Sequence, residues 1–271
     1  MRRAASAGRG AADKGPRMNR CILVSAAILA STAGCNIPRL AIFAGTATES
    51  VAGELRADSS LGVTGDTVGL ETDLGVSDKS SPVDARLMFA MGRGMLDVSY
   101  SQRSISSVGS FPGITDFADV PLDTIVATKI DLEEFRVAVG RRAISGSKKY
   151  IFSVRAGAFA ADWSASLRDS IAQTATAGQF TVVPVVGAGL DIKMGPLASL
   201  FVEAEGMGMD AFDTKASLFG WGAGVRVSFI QAQLMLGYRS RSLDIEEDGE
   251  RLALDTDGGT FALQLQLSLN M

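Results

Sequence analysis

The sequence predicts an all-β fold: a closed antiparallel up-and-down transmembrane β-barrel of about ten strands, with eight as the alternative, preceded by a helical signal segment. Three observations predict it. Apolar residues alternate with small or polar ones at a period of two over much of the chain. Short and long connections alternate between the predicted strands. A basic and then apolar segment, typical of exported proteins, stands at the N-terminus.

The composition excludes several classes of function. The chain has 271 residues, 26 Lys and Arg against 30 Asp and Glu, and a mean hydropathy of +0.20. It is too apolar to be disordered, and no basic run indicates a nucleic-acid partner. It contains no His. Because imidazole is missing, there is no Ser-His or Cys-His nucleophile and no His metal ligand, so we expect neither enzymatic activity nor a cofactor.

Residues 1–35 are the expected signal segment. A basic stretch precedes an apolar run that begins at Cys21 and is shorter than the about 20 residues that a membrane-spanning helix needs. Met18 offers an alternative start, which would make residues 1–17 an extension. Cys35 follows small residues, as in a lipoprotein signal, and is the candidate site of lipid attachment; ordinary cleavage nearby is the alternative. No Cys lies beyond this segment, so the exported part holds no internal disulfide.

Residues 36–46 are expected to be a linker and residues 47–271 the barrel domain. The clearest strand closes the chain, where Phe261, Leu263, Leu265 and the apolar residues that follow at the same spacing alternate with small or polar ones. The same pattern predicts ten strands in all, near 47–57, 82–91, 95–106, 128–143, 150–167, 179–194, 197–210, 214–228, 230–243 and 258–271.

Connection lengths give the topology. Short turns are predicted at 92–94, 145–148, 195–196 and 228–231, and both chain ends lie on their side of the barrel. Longer polar segments are predicted between them, at 58–81, 107–127, 168–178 and 244–257, with a brief one near 211–213. Short turns on one side and longer loops on the other are the layout of a transmembrane barrel, and we expect the loops at 58–81 and 107–127 to face outside.

The polar face of the strands is expected to line the lumen. It is rich in glycine, which is unfavourable on an open solvated strand and suits a narrow interior. It also carries charges of both signs, which would have to pair when removed from water. These predicted lumen charges are Arg86, Asp97, Glu134, Arg136, Arg155, Asp191, Glu203, Glu205, Arg226 and Arg239.

The pattern resembles the small bacterial outer-membrane β-barrel proteins of the OmpA-type or porin-like group. The resemblance covers about residues 47–271 and is carried by the acidic lead-in 71–76, the hairpin 83–89 into 96–100 and the closing strand 261–271. It implies the bacterial outer membrane as location and outer-membrane lipid as partner, with a monomeric barrel. Outer-membrane barrel enzymes resemble one another in relying on a His, so the resemblance implies no activity for this chain.

Two acidic patches in the predicted last loop are a weak candidate for a divalent-cation site, because hard cations prefer oxygen ligands. A solvated loop is the alternative. The residues concerned are Glu246, Glu247, Asp248, Asp255 and Asp257.

Two hypotheses of function remain from the sequence. In the first, a narrow and largely plugged barrel has a structural or interaction role, with permeation of small ions as a variant and the outer loops as binding surface. In the second, a lipid-tethered or soluble periplasmic lipocalin-like barrel carries an apolar ligand. The second requires Leu263, Leu265 and Leu267 to point inward. A weaker third reading is an enzyme that acts on envelope lipids without histidine.

Overall fold

The computed structural model describes residues 39–58, 64–76, 80–111, 115–122, 125–211 and 214–268. None of these residues belongs to a helix long and apolar enough to cross a membrane. They form thirteen strands: β1 (Arg39–Ala57), β2 (Thr67–Gly69), β3 (Val83–Met91), β4 (Gly94–Ser110), β5 (Thr115–Phe117), β6 (Val120–Leu122), β7 (Ile125–Ile144), β8 (Tyr150–Asp169), β9 (Thr174–Lys193), β10 (Ala198–Ala211), β11 (Thr214–Ser228), β12 (Ala232–Glu247) and β13 (Glu250–Ser268).

Ten of these strands close into one antiparallel barrel. Going round the barrel, the order is β1, β3, β4, β7, β8, β9, β10, β11, β12 and β13, and β13 pairs with β1 to complete the ring. The closing seam runs from the pair Arg39 and Ser268 to the pair Ala57 and Glu250. The predicted fold class is confirmed, with ten strands rather than eight.

The first strand begins earlier than the alternation indicates. β1 starts at Arg39, inside the range 36–46 that was expected to be a linker. Both faces of its first half are apolar, so no alternation marks it, and the strand is defined instead by long-range pairs such as Ile42 with Leu265. The signal segment and Cys35 lie outside the described residues.

The tight turns predicted from the sequence all lie at one end of the barrel, which we call the inner end. Its turns join β3 to β4, β7 to β8, β9 to β10 and β11 to β12. At the opposite, outer end, the prediction of long loops at 168–178 and 244–257 is wrong. β8 and β9 are joined by residues 170–173 alone, and β12 and β13 by Asp248 and Gly249, both with positive φ.

The strands run further outward than expected because their inward positions change from charged or small to apolar. Leu243 and Ile245 on β12 and Leu252 and Leu254 on β13 are all buried inside the barrel. The polar residues that look like a loop in the sequence are the outward positions of the same strands. β4 and β7 likewise extend to Ser110 and from Ile125, into the range 107–127 expected as a loop.

In the inner half of the barrel, apolar side chains point outward. On β13, Leu263, Leu265 and Leu267 are 45%, 48% and 45% exposed, whereas Gln264 between them is 2% exposed and faces the lumen. This contradicts the lipocalin-like alternative, which needs the leucines inside. The outward apolar side chains continue round the wall, and we call them the apolar belt: Ile42, Leu87, Tyr100, Phe135, Phe152, Val154, Val182, Val186, Leu200, Val202, Phe219, Trp221, Leu236, Phe261, Leu263, Leu265 and Leu267.

In the outer half the arrangement is reversed. Most outward positions are polar, and inward ones form a dense hydrophobic core, which we call the outer core. Trp163 is its largest fully buried side chain. Its other fully buried large members come from five barrel strands and from the segments at the outer end: Leu55, Leu70, Leu74, Phe117, Leu122, Ile130, Leu132, Leu167, Leu243, Ile245 and Leu252.

Two segments close the outer end. β3 has only nine residues and reaches outward only as far as Val83. β2 and residues 70–76 complete the wall above it, where β2 and Leu70 pair with β1. The hairpin β5–β6 lies across the opening, where Phe117 and Leu122 are fully buried. The described parts of the expected outside loops therefore pack into the barrel instead of standing free, because their apolar residues complete the outer core.

Candidate functional site

An ion-pair network fills the lumen at the level of the apolar belt. Its centre is Asp97 on β4, which is fully buried. Arg86 on β3 binds it in bidentate fashion, with Nε to Oδ1 at 2.8 Å and Nη2 to Oδ2 at 2.7 Å. β3 and β4 form a tight hairpin, and the period of two turns both side chains into the barrel. Bidentate pairs of this kind are both strong and geometrically specific.

Two carboxylates from the opposite wall complete this centre. Glu203 and Glu205 are two residues apart on β10 and therefore share the inward face. Arg155 on β8 contacts both, at 3.2 Å in each case. Arg136 on β7 donates to Glu205 and lies 3.4 Å from Asp97. Three arginines thus share three carboxylates, and the centre is electrically neutral.

Further pairs lie above and below this centre. Towards the outer core, Arg239 binds Glu49 and Asp84, Arg103 binds Glu49 at 2.6 Å, and Arg241 binds Glu134 at 2.6 Å. Towards the inner end, Arg226 pairs with Asp191. Among the described residues the network joins seven arginines and seven carboxylates, so the network carries no net charge.

The structure places all ten predicted lumen charges in this network. Four members were not predicted, although the alternation along the strands indicates three of them. Asp84 precedes Arg86 by two positions and Arg241 follows Arg239 by two. Arg103 lies six positions after Asp97 on the same strand, so both point to the same face. Glu49 lies on β1, whose alternation is weak in the sequence, and it is found only through its partners.

A cavity of about 220 Å³ lies beside the network. Its wall on β11 includes Gly220 and Gly222, which leave room for the side chains of Arg239 and Arg241. Four buried atoms in its lining have no hydrogen-bond partner among the described residues: Arg136 Nε, Arg155 Nε, Arg241 Nε and Glu134 Oε1.

Two phenylalanines limit this cavity along the barrel axis. Phe201 crosses the lumen on the inner side and leaves no space for a side chain at Gly224, where an added Cβ would lie 2.9 Å from its ring. The Arg226 guanidinium stacks on Phe201, 4.4 Å from the ring centroid, and Arg241 stacks on Phe159 at 4.7 Å on the outer side. Such cation–π contacts add to the ion pairs in fixing the arginines.

The acidic residues proposed as a cation site are not brought together. Glu246 and Glu247 are neighbours on β12 and point to opposite faces, where Glu246 pairs with Arg56 and Glu247 accepts from Thr181. Asp257 on β13 accepts hydrogen bonds from Ser50 and Tyr238 instead. No metal-binding group of three or more Cys, Asp or Glu occurs among the described residues. The candidate fails because the loop that would gather these residues is a strand.

Comparison with known proteins supports the fold. No protein-family model and no curated protein matches the chain. Among solved structures, the outer membrane protease OmpT from Escherichia coli aligns with a TM-score of 0.55 at 8% identity, over 84% of this chain and 97% of that one. Ail of Yersinia pestis aligns at 0.36 and 11% identity over 83% and 99%, and Neisserial surface protein A at 0.35 and 10% over 83% and 96%. The chain has the fold of the bacterial outer-membrane β-barrel proteins.

Proposed function

We propose that this protein is a closed barrel of the bacterial outer membrane, with an interaction role at its outer half and no conducting pore. The observation that supports it most is the outer core, which fills the barrel above the ion-pair network. Leu55, Leu252 and Trp163 meet there with at most 1% exposure. An ion leaving the network outward would have to enter this apolar core, which is strongly unfavourable.

The apolar belt supports a membrane location. Aromatic side chains with a polar atom gather near its outer edge, as expected at a boundary between hydrocarbon and headgroups. Trp221 and Tyr238 lie 5.8 Å apart there, and Tyr100 lies directly opposite Phe135. Tyr150 marks the inner edge, beside the β7–β8 turn.

The interaction role is supported by the shape of the outer half. β7, β8 and β9 each have 20 residues and extend beyond the belt as a continuous polar surface over a rigid core. Such a scaffold presents its surface without the ordering cost that a mobile loop pays on binding. Catalysis is not part of the proposal, since the chain has no His.

Two measurements test this proposal. In planar bilayers the purified, folded barrel should give no stepwise ion current. An open porin in the same kind of bilayer serves as positive control. Repeated conductance steps from the intact chain would overturn the closed barrel.

Cysteine labelling in intact cells tests the orientation. Gln173→Cys in the β8–β9 turn should react with a membrane-impermeant maleimide, and Ser147→Cys in the β7–β8 turn should react only after the outer membrane is permeabilised. The unsubstituted chain gives the background from Cys21 and Cys35. The reverse labelling pattern would contradict the proposal.

A further inference from the structure

Exposed cations lie along one side of the inner end of the barrel, from β1 round to β9. They come from the ends of three strands and from two turns, and we call them the inner basic rim: Arg39, Arg93, Arg141, Lys148, Lys149 and Lys193. In contrast to the arginines of the lumen, none of the six forms an ion pair with a described carboxylate.

The rim has almost no acidic counterpart. The acidic residue of the described inner end is Asp191, and it is already paired with Arg226. A seventh cation, the half-buried Arg142, donates to the carbonyl oxygen of Gly92 at 3.5 Å, and its Nε has no partner. The inner end therefore carries an uncompensated positive charge, in contrast to the charge-balanced ion-pair network above it.

The rim lies at the edge of the apolar belt. Arg141 occupies the next outward position after Val139 on β7. The Lys149 ammonium lies 5.5 Å from the ring centroid of Tyr150, which is 45% exposed and followed at the next outward position by Phe152, 48% exposed. Cations whose aliphatic stems lie along apolar surface next to an aromatic ring are typical of a membrane interface.

We propose that the inner basic rim binds the phosphate headgroups of anionic phospholipids in the periplasmic leaflet. The inference rests on the proposed membrane location and orientation. A lipid surface fits better than a soluble polyanion because the cations follow the edge of the belt from β1 to β9 and do not line a groove. Beyond the outer edge of the belt the charged outward residues are mostly acidic, with Glu133 directly opposite Asp162, so the inner end matches an anionic surface better.

The test is a titration of phosphatidylglycerol into the folded barrel in a zwitterionic detergent, read by native mass spectrometry. The rim variant Arg93→Gln/Arg141→Gln/Lys149→Gln is compared with Lys129→Gln/Arg168→Gln/Lys215→Gln, which removes the same number of cations from the outer half. A basic residue near an anionic lipid surface should change the apparent Kd for phosphatidylglycerol about fivefold at low salt. We expect a weakening of that size for each charge removed from the rim, and no change in the outer variant.

Equal binding by the two variants would overturn the proposal. So would binding of soluble polyphosphate by the intact rim with no preference for phosphatidylglycerol over phosphatidylcholine, which would indicate a polyanionic partner instead. Each variant is folded if its migration on a denaturing gel changes when the sample is boiled, because a membrane barrel stays folded in detergent until it is heated. Because the maleimide test reads orientation separately, a failure of lipid binding is distinguishable from a failure of the proposed location.

Discussion

The two halves of this barrel use the same strands with opposite polarity. In the inner half, Leu236 on β12 faces outward and Arg239 faces the lumen; further along the same strand, Ser242 faces outward and Leu243 is buried. The change needs no change in backbone, because the period of two continues through it. In the proposed membrane location, hydrocarbon outside favours apolar outward side chains and leaves the polar ones for the lumen, whereas water outside favours the reverse arrangement.

The halves are also stabilised by different interactions. The outer core relies on the burial of apolar area, as a water-soluble protein does. The inner half has apolar side chains on the outside and depends within on paired charges, whose net contribution is small when intact and whose disruption is costly. Four experiments test whether the two halves differ in this way, beginning with the largest expected effect.

The largest effect is expected from truncating the outer core. Trp163→Ala removes the largest fully buried side chain and should lower the free energy of unfolding by about 3–5 kcal/mol. Urea unfolding in detergent micelles measures the change. Leu265→Ala, which truncates a belt side chain 48% exposed in the barrel, is the control and should cost clearly less. Equal losses would mean that the two halves are not stabilised differently.

Breaking the centre of the ion-pair network should cost nearly as much. Asp97→Asn keeps the shape of the side chain and leaves Arg86 without its bidentate partner, so we expect a loss of about 3–5 kcal/mol. The matched change in the outer half, Asp131→Asn, removes an exposed partner of Lys129 and should cost less than about 1 kcal/mol. The double variant Arg86→Gln/Asp97→Asn should recover part of the first loss in the same unfolding assay. No difference between the two single variants would contradict a buried network.

A charged side chain introduced at an outward position should change stability differently in the two halves, even on the same strand. Leu236→Lys puts a cation in the belt and should destabilise the barrel by about 2–4 kcal/mol in lipid vesicles. Ser242→Lys, six residues further along β12 and also outward, should change stability by less than about 0.5 kcal/mol. If both were tolerated equally, the belt would not face hydrocarbon.

The smallest effect concerns a titration in the outer half. The Lys129 ammonium donates to Asp131 at 2.5 Å and Ser104 donates at 2.6 Å, and together they lower the pKa of the Asp131 carboxyl. Because the folded-state pKa is depressed, this contribution to stability is present above the unfolded-state pKa of about 3.9 and is lost as the pH falls through the folded-state value. Lys129→Gln should raise the pKa of Asp131 towards its ordinary value in a carboxyl NMR titration, and Lys215→Gln should leave it unchanged.

Much of the fold was predictable because the period of two survives in the sequence. It indicated ten strands and placed the leucines of β13 outside. It failed where neither face is polar, at the first half of β1, and where the polarity reverses, at the outer ends of β12 and β13. There the alternation is still present, but the charged residues Asp255 and Asp257 imitate a loop.

The lumen network was predictable in composition and not in connectivity. Parity places Arg155 and Glu203 on the inner face, but only the order of strands round the barrel brings them within 3.2 Å. The closed outer end was not predictable, because Leu70, Leu74 and Phe117 belong to short irregular segments whose burial depends on the space that the nine-residue β3 leaves open.

The wide sequence separation within the network bears on how this barrel is assembled. Arg86 and Glu203 are 117 positions apart, and Arg239 and Glu49 are 190 apart, so these contacts form only after strands distant in the sequence have come together round the lumen. A slip of one position along the seam between β1 and β13 would turn Glu49, the network member on β1, away from the lumen and from its partners Arg103 and Arg239. Complete pairing of the network charges therefore requires the correct register at the seam that closes the barrel.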